Sequence, residues 1–414
     1  MTERLDAAAS DPATLQWMVG SPPPADKLIQ FADGSAFRFP RTRWSYSNMR
    51  RLVPTSVVAR GPAVVPLPRA ERTDLDAITF RPTGQHDLMT WEQSLAANFT
   101  DGILVLHRGR VIDERYFGVL DAATPHLAFS VTKSFVATIA GILAAEGALD
   151  DRATVASYLP ELNHSGFADA TIAQLLDMTT GVRHTEDYVD DKAGIWDLAR
   201  AGNFRPRPAD YRGPGSFYEY LQTVEKDYGH GERFAYKTAN TDVLAWVLRR
   251  VTGKTTSGLM FEYLWSKLGV EQDAYFTIDT TGVEFAGAGL NLTLRDLARF
   301  GEMMRLQGRY NGRQIVPAAV IDDIRAGGNR ERFAGAGYTQ LPGWSYRRMW
   351  WVSHNEHGAF AARGIHGQTV YVDPAAEMVV ARFASHPQGA NMHLDPTSLP
   401  AYHALAKHLL KNPS

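Results

Sequence analysis

The stretch "HLAFSVTKSFVATIAGILAAEGALD" (residues 126–150) decides the fold prediction for this chain. Its Val, Ile, Leu and Ala residues predict a long buried helix that begins near Ser130. Lys133 stands one turn inside that helix. Because a charged side chain is rarely buried without a partner, the lysine needs an explanation from the rest of the sequence.

β-type runs lie on both sides of this helix. Residues 102–120 contain two runs around Arg-Gly, which is typical of a hairpin, and four more runs follow residue 340 before a final helix. Residues 130–306 show mostly helical spacing. We therefore predict an α/β (α+β) fold, in which a largely antiparallel sheet is flanked by helices and a helical lobe is inserted between its two halves.

This organisation predicts three parts. Residues 1–80, which are rich in Pro and Arg, are expected to form an irregular arm packed on the body, without a chemical role. Residues 81–130 and 307–414 are expected to form the sheet domain, and residues 131–306 the helical domain. Ser130 then lies where the chain passes from sheet to helices, beside a cleft.

Composition excludes several classes of function. A formal net charge of -2 over 414 residues provides no basic stripe for nucleic acid, and the absence of cysteine excludes thiol catalysis and thiolate metal sites. The longest apolar run, "FVATIAGILAA", is far shorter than the roughly 20 residues that cross a membrane. Glu3, Asp6 and Asp11 are atypical of a signal peptide. We expect a cytoplasmic protein without nucleic-acid or membrane partners.

The pair Ser130 and Lys133 has two interpretations. Residues three apart share a helix face, and a desolvated lysine has a lowered pKa, so Lys133 is a candidate base for a Ser130 nucleophile. Alternatively, Ser130 caps the helix and Lys133 extends to solvent. About one or two Ser-x-x-Lys matches arise by chance in a chain of this length, so the pair alone leaves both open.

Two later segments favour the catalytic interpretation. Tyr236 stands just before a predicted helix, about a hundred residues after Ser130. The segment "AARGIHGQTVYVDP" then provides a glycine-bearing strand edge, whose backbone N–H is a candidate to form an oxyanion hole with that of Ser130. Serine, lysine, tyrosine and a glycine-bearing strand in this order are more specific evidence for catalysis than the Ser-x-x-Lys pair alone.

With these residues, and with "SVTKS", "EDYVD", "ANTDVLAW" and "GIHGQ", the chain from about Arg43 onward resembles the β-lactamase-fold, penicillin-recognising serine hydrolases. Within them it resembles the 6-aminohexanoate-dimer hydrolases, which cleave linear nylon oligomers. The resemblance implies that Ser130 is the nucleophile, Lys133 the base and Tyr236 the proton relay. It further implies that Tyr188 contacts the scissile amide and that the Ile365 N–H completes the oxyanion hole.

Gly364 and His366 flank Ile365 and complete the predicted substrate-binding set, although for His366 the residues favour a structural role. No cofactor and no metal ligand are predicted, because "HNEH" (residues 354–357) lacks the spacing of a helical zinc motif. The acids around Tyr188 have two open interpretations: a solvated loop, or a lid that attracts a substrate ammonium group.

The chain also departs from the penicillin-binding pattern. Thr238 replaces an expected Asn, and residues 362–364 read Ala-Arg-Gly instead of Lys-Thr-Gly, so efficient β-lactamase activity is not expected, with Arg363 as a partial substitute for the lysine. Residues 191–211 do not align without a shift, and Gly287 stands where a polar residue is expected. Both regions bear on substrate choice.

The sequence therefore predicts a cofactor-independent serine hydrolase that cleaves a small linear amide of the 6-aminohexanoate-dimer type through an acyl-enzyme. Two alternatives remain, a short-chain carboxylesterase with the same residues and a catalytically silent binding relative. The expected partner is a small-molecule amide or ester, and a homodimer is expected by analogy.

Overall fold

The computed structural model describes residues 5–412. Its central sheet joins two distant parts of the sequence. The predicted hairpin pairs with the late strands through Met378–Ala384, where Val380 lies opposite Val105. The sheet is antiparallel throughout, in the order Ser345–Arg347, Trp350–Val352, Phe360–Gly364, Gln368–Asp373, Met378–Ala384, Thr100–His107 and Arg110–Tyr116. The predicted sheet and the α/β class are confirmed.

Both faces of this sheet are covered by helices, because successive strand residues point to opposite faces and both sets are apolar. Leu104 and Leu106 face the core that contains the helices Val131–Ala145 and Leu294–Arg305. On the other face, alternate residues such as Val105 pack in the core beneath two further helices. Those helices are Trp91–Ala97 and Asp395–Lys411.

A second sheet of four strands leads the chain to Ser130. Its order is Thr55–Val58, Ala274–Thr277, Leu290–Leu292 and His126–Leu127. Its last strand ends two residues before Phe129. The sheet therefore fixes the approach of the backbone to the central helix Val131–Ala145.

The remaining helices surround the central helix and the cleft. They are Val155–Tyr158, Ile172–Leu176, Gly194–Ala201, Phe217–Thr223, Ala239–Thr252, Thr256–Met260, Ala318–Ala326 and Arg330–Ala334. The helix Leu294–Arg305, which is expected in the helical domain, lies against the large sheet. The expected boundary of the helical domain at residue 306 stays a prediction. Within residues 5–412, no helix combines the length and apolar character needed to cross a membrane.

The arm is held to the body by a buried ion pair. Arg43 lies in the short helix Thr42–Ser45, and its guanidinium is 3.1 Å from Asp101 Oδ1, with both side chains almost fully buried. Asp101 also contacts His126 Nε2 at 3.3 Å. The expected arm (residues 1–80) and sheet domain (to residue 414) both extend outside the described residues, at 1–4 and 413–414.

Candidate active site

The backbone before the central helix holds Ser130 in a constrained position. Phe129 has φ 45°, a left-handed conformation that is costly for a bulky residue, and the Ser130 side chain forms no capping hydrogen bond with the helix. A Cβ atom on Gly364 would lie 2.6 Å from the Ala128 oxygen and 3.0 Å from the Ser130 nitrogen. The glycine therefore lets the strand edge, with Ile365, come against Ser130.

Lys133 is completely buried and faces Ser130. Its Nζ donates to Ser130 Oγ at 2.9 Å, to Thr238 Oγ1 at 3.0 Å and to the Gly287 oxygen at 2.7 Å. Among residues 5–412, no carboxylate forms an ion pair with it. Both the helix cap and the extended lysine of the alternative interpretation are thus absent from the described structure.

Burial lowers the pKa of Lys133, against the opposing charges of Glu186 and Asp242. Asp242 accepts the Gly287 N–H at 3.1 Å, and burial raises the pKa of this carboxyl. A Cβ atom on Gly287 would lie 2.4 Å from Thr238 Cγ2, so a polar residue there would displace the threonine. The two residues that depart from the family pattern, Thr238 and Gly287, therefore both accept hydrogen bonds from Lys133.

Tyr236 completes the group around Ser130. Tyr236 and Ser130 line the same cavity, and Lys133 Nζ lies 5.1 Å from the centre of the tyrosine ring. The ring stacks on Trp351 at 5.7 Å. Because burial raises the pKa of Tyr236 well above its usual value, the phenol is protonated at neutral pH.

Glu186 is a site residue that the sequence analysis left undecided. Its Oε1 accepts the Thr238 N–H and contacts His184 Nε2 at 3.2 Å, and its Oε2 accepts the Tyr188 hydroxyl at 2.9 Å. Burial would raise the pKa of Glu186, but the hydrogen bond and charge of His184 and the charge of Lys133 outweigh it and lower the pKa.

The other acids of this loop, Asp187, Asp190 and Asp191, are exposed. The sequence carries no signal for this difference, because Val189, the aliphatic residue among residues 184–191, is itself exposed. In the structure, His184, Glu186 and Tyr188 alternate with exposed residues, which is the period of an extended segment with one buried face.

Two cavities meet at Ser130, Tyr188 and Ile365. The first, of about 190 Å³, is also lined by Tyr236 and Trp351. The second, of about 220 Å³, is lined by side chains from several parts of the chain. They include Phe37, Tyr46, Trp196, Phe204, Arg205 and His366. Phe37 and Tyr46 belong to the expected arm, so this segment contributes to the wall of the second cavity.

The remaining predicted residues lie at the same place. Gly364 lines the first cavity and His366 the second. His366 Nδ1 also contacts the His386 oxygen at 2.7 Å, and burial lowers the pKa of this histidine to about 4. Arg363 is buried in an ion pair with Asp395, so its charge is already neutralised. It is therefore a poor substitute for the lysine of a penicillin-binding enzyme.

One cluster outside the cleft has ligand atoms suited to a metal. Glu356, His357 and His403 bring three such atoms within 4.8 Å of one another, and His357 is also paired with Asp373 at 2.7 Å. "HNEH" lies in the turn between the strands Trp350–Val352 and Phe360–Gly364. The cluster is not part of either cavity.

Comparison with known proteins assigns the family, because residues 92–399 match the β-lactamase family model. The chain belongs to the β-lactamase family. This membership makes it a serine hydrolase, as the resemblance implied.

The β-lactamase family members most similar to this chain include a curated relative and a solved structure. The 6-aminohexanoate-dimer hydrolase of Paenarthrobacter ureafaciens is 37% identical over 355 residues, which cover 86% of this chain and 88% of the relative. A Bacillus anthracis structure described as "Putative 6-aminohexanoate-dimer hydrolase" is 33% identical with a TM-score of 0.85, over 94% of this chain and 99% of that one.

A D-stereospecific amidohydrolase from Streptomyces sp. is 18% identical with a TM-score of 0.55, over 73% of this chain and 96% of that chain. At this identity the likeness extends to the fold alone.

Proposed function

We propose that the chain hydrolyses small linear amides, the class to which 6-aminohexanoate dimer belongs, through an acyl-enzyme on Ser130. The observation that carries the proposal is the 2.9 Å contact between Ser130 Oγ and the Nζ of Lys133, a buried lysine that no carboxylate of residues 5–412 pairs with. A lysine in such surroundings exchanges its proton near neutral pH, as a general base must.

In the first step, the neutral Lys133 amine takes the Ser130 proton while Oγ attacks the amide carbonyl carbon. The carbonyl oxygen becomes an oxyanion, which the N–H groups of Ser130 and Ile365 stabilise. The close approach of Gly364 to Ser130 supports this placement of the two donors.

In the second step, Tyr236 gives its phenolic proton to the leaving amine and receives the proton held by Lys133, so the C–N bond breaks with charge conserved. Water then attacks the ester on Ser130, the same groups move the protons in reverse, and the free acid is released. Tyr188 lines both cavities, which supports its proposed contact with the scissile amide.

The test measures kcat/KM for a panel of short linear amides that includes 6-aminohexanoate linear dimer and N-adipoyl-6-aminohexanoate, with a p-nitrophenyl ester alongside. We expect cleavage of at least one amide and loss of all activity in Ser130→Ala. Activity that survives in Ser130→Ala would exclude this nucleophile. A serine-reactive probe that leaves folded wild-type protein unlabelled would indicate a silent binding relative.

A carboxylesterase remains the second candidate. An alcohol or phenol leaving group needs less help from proton donation by Tyr236 and from contact with Tyr188 than an amine does. Turnover of the ester with no turnover of any amide would assign the chain to this alternative.

A further inference from the structure

The second cavity contains a cation without a counter-ion. The Arg205 guanidinium lies between two aromatic rings, 4.0 Å from the centre of the Trp196 ring and 5.3 Å from that of Phe37. In the part of the chain that the structure describes, no carboxylate is ion-paired with it. Contact with ring faces stabilises a guanidinium but leaves its N–H donors unused.

The groups around Arg205 do not neutralise it. No Asp or Glu lines this cavity, and His366 is uncharged at neutral pH because burial depresses its pKa. Tyr46 and Asp191 act to raise the pKa of Arg205, but Tyr46 is a neutral phenol at neutral pH because burial raises its own pKa, and Asp191 is exposed. Arg200 and Arg38 act on Arg205 with the same sign of charge. Burial and these arginines lower the pKa of Arg205, the direction expected for a cation that lacks a partner.

The proposed function indicates which half of the substrate enters this cavity. Tyr236, the proton donor to the leaving amine, lines the first cavity and not the second. The leaving group therefore occupies the first cavity, and the acyl group extends into the second. The charge of Arg205 then acts on the far end of the acyl chain.

We propose that Arg205 makes the enzyme select acyl groups that end in a carboxylate, such as half-amides and half-esters of short dicarboxylic acids. A guanidinium binds a carboxylate through two parallel hydrogen bonds, and partial burial strengthens them. An acyl chain that ends in an ammonium group meets a like charge in the same place. This inference rests on the proposed function and specifies its substrate.

The test compares three p-nitrophenyl esters of nearly equal length, which differ in the end of the acyl chain: hydrogen adipate, hexanoate and 6-aminohexanoate. We expect kcat/KM to fall in that order, with adipate about ten- to a hundred-fold above hexanoate, the range of a hydrogen bond to a charged group. The adipate-to-hexanoate ratio approaches one in Arg205→Gln, and Arg205→Glu favours 6-aminohexanoate.

Arg212→Glu is the matched control for Arg205→Glu, because both substitutions change the net charge by the same amount. Arg212 is exposed and lies outside both cavities. Equal turnover of all three esters by the wild type, or a ratio that Arg205→Gln leaves unchanged, overturns the role of Arg205 alone. Failure to cleave any of the three, hexanoate included, overturns the proposed function itself.

A binding measurement keeps the inference testable if the Arg205 variants lose activity. Calorimetric titration of Ser130→Ala with adipate, hexanoate and 6-aminohexanoate is expected to give the tightest binding for adipate. The additional Arg205→Gln substitution removes that preference. Tighter binding of 6-aminohexanoate than of adipate would contradict the assignment.

Discussion

The hydroxyl of Tyr188 donates to Glu186 Oε2 at 2.9 Å, and the other oxygen of the same carboxylate accepts the N–H of Thr238. Thr238 in turn accepts a hydrogen bond from Lys133. One carboxylate therefore joins the loop over the two cavities to the residues that hold the candidate base. The position of Tyr188 and the charge state of Lys133 are linked through it.

Glu186→Gln is expected to shift the acidic limb of the kcat/KM profile to lower pH. The negative charge of Glu186 raises the pKa of Lys133, so its removal lets the lysine lose its proton at lower pH. The pH profile with a p-nitrophenyl ester checks this, with exposed Asp187→Asn as the control. An unmoved limb, or one that moves upward, would show that Lys133 does not set it.

Tyr236→Phe is expected to reduce amide hydrolysis about 10²- to 10⁴-fold, the range of general acid catalysis. The effect on a p-nitrophenyl ester should be much smaller, because nitrophenolate leaves without receiving a proton. The measurement is the ratio of the two kcat/KM values in wild type and variant. An equal loss on both substrates would assign Tyr236 to an earlier step.

Gly364→Ala is expected to lower kcat/KM at least about tenfold and to destabilise the protein by about 1–3 kcal/mol, since its Cβ atom would overlap the Ala128 oxygen. Gly335→Ala serves as the control, because Gly335 follows the helix Arg330–Ala334 with helical backbone angles and its Cβ atom would make ordinary contacts at 3.6 Å. Urea unfolding and ester turnover measure the two effects. Normal turnover in Gly364→Ala would contradict the tight approach of the strand.

Arg43→Ala is expected to cost about 3–5 kcal/mol of unfolding free energy, because it leaves the buried Asp101 carboxylate without its partner. Arg250→Ala removes an exposed ion pair with Glu161 and should cost no more than about 1 kcal/mol. Chemical denaturation of the two variants gives the comparison. Similar losses would mean that the buried pair does not hold the arm.

The sequence predicts the sheet well because alternation and turn residues are local signals. The hairpin around residues 108 and 109 and the strands after residue 340 could be found in this way. The contact between Lys133 and Ser130 also follows from their spacing. The oxygen of Gly287 could not be predicted as its third acceptor, since a carbonyl 154 residues away carries no signal in side-chain chemistry.

Arg205 shows the same limit. Its position in the second cavity depends on the path of the loop after the helix Gly194–Ala201 and on aromatic side chains from two segments. Residues 191–211 could be recognised as divergent, but the position of the Arg205 charge in the second cavity became visible only once the chain was folded.

Phe37 and Tyr46 precede residue 92, where the match to the family begins, and yet they form part of the wall of the second cavity. Part of that wall is therefore encoded outside the stretch that carries Ser130, Lys133 and Tyr236, whereas Arg205 lies inside it. Exchange of this leading segment between relatives offers a way to change which acids are released while Ser130, Lys133 and Tyr236 are left untouched.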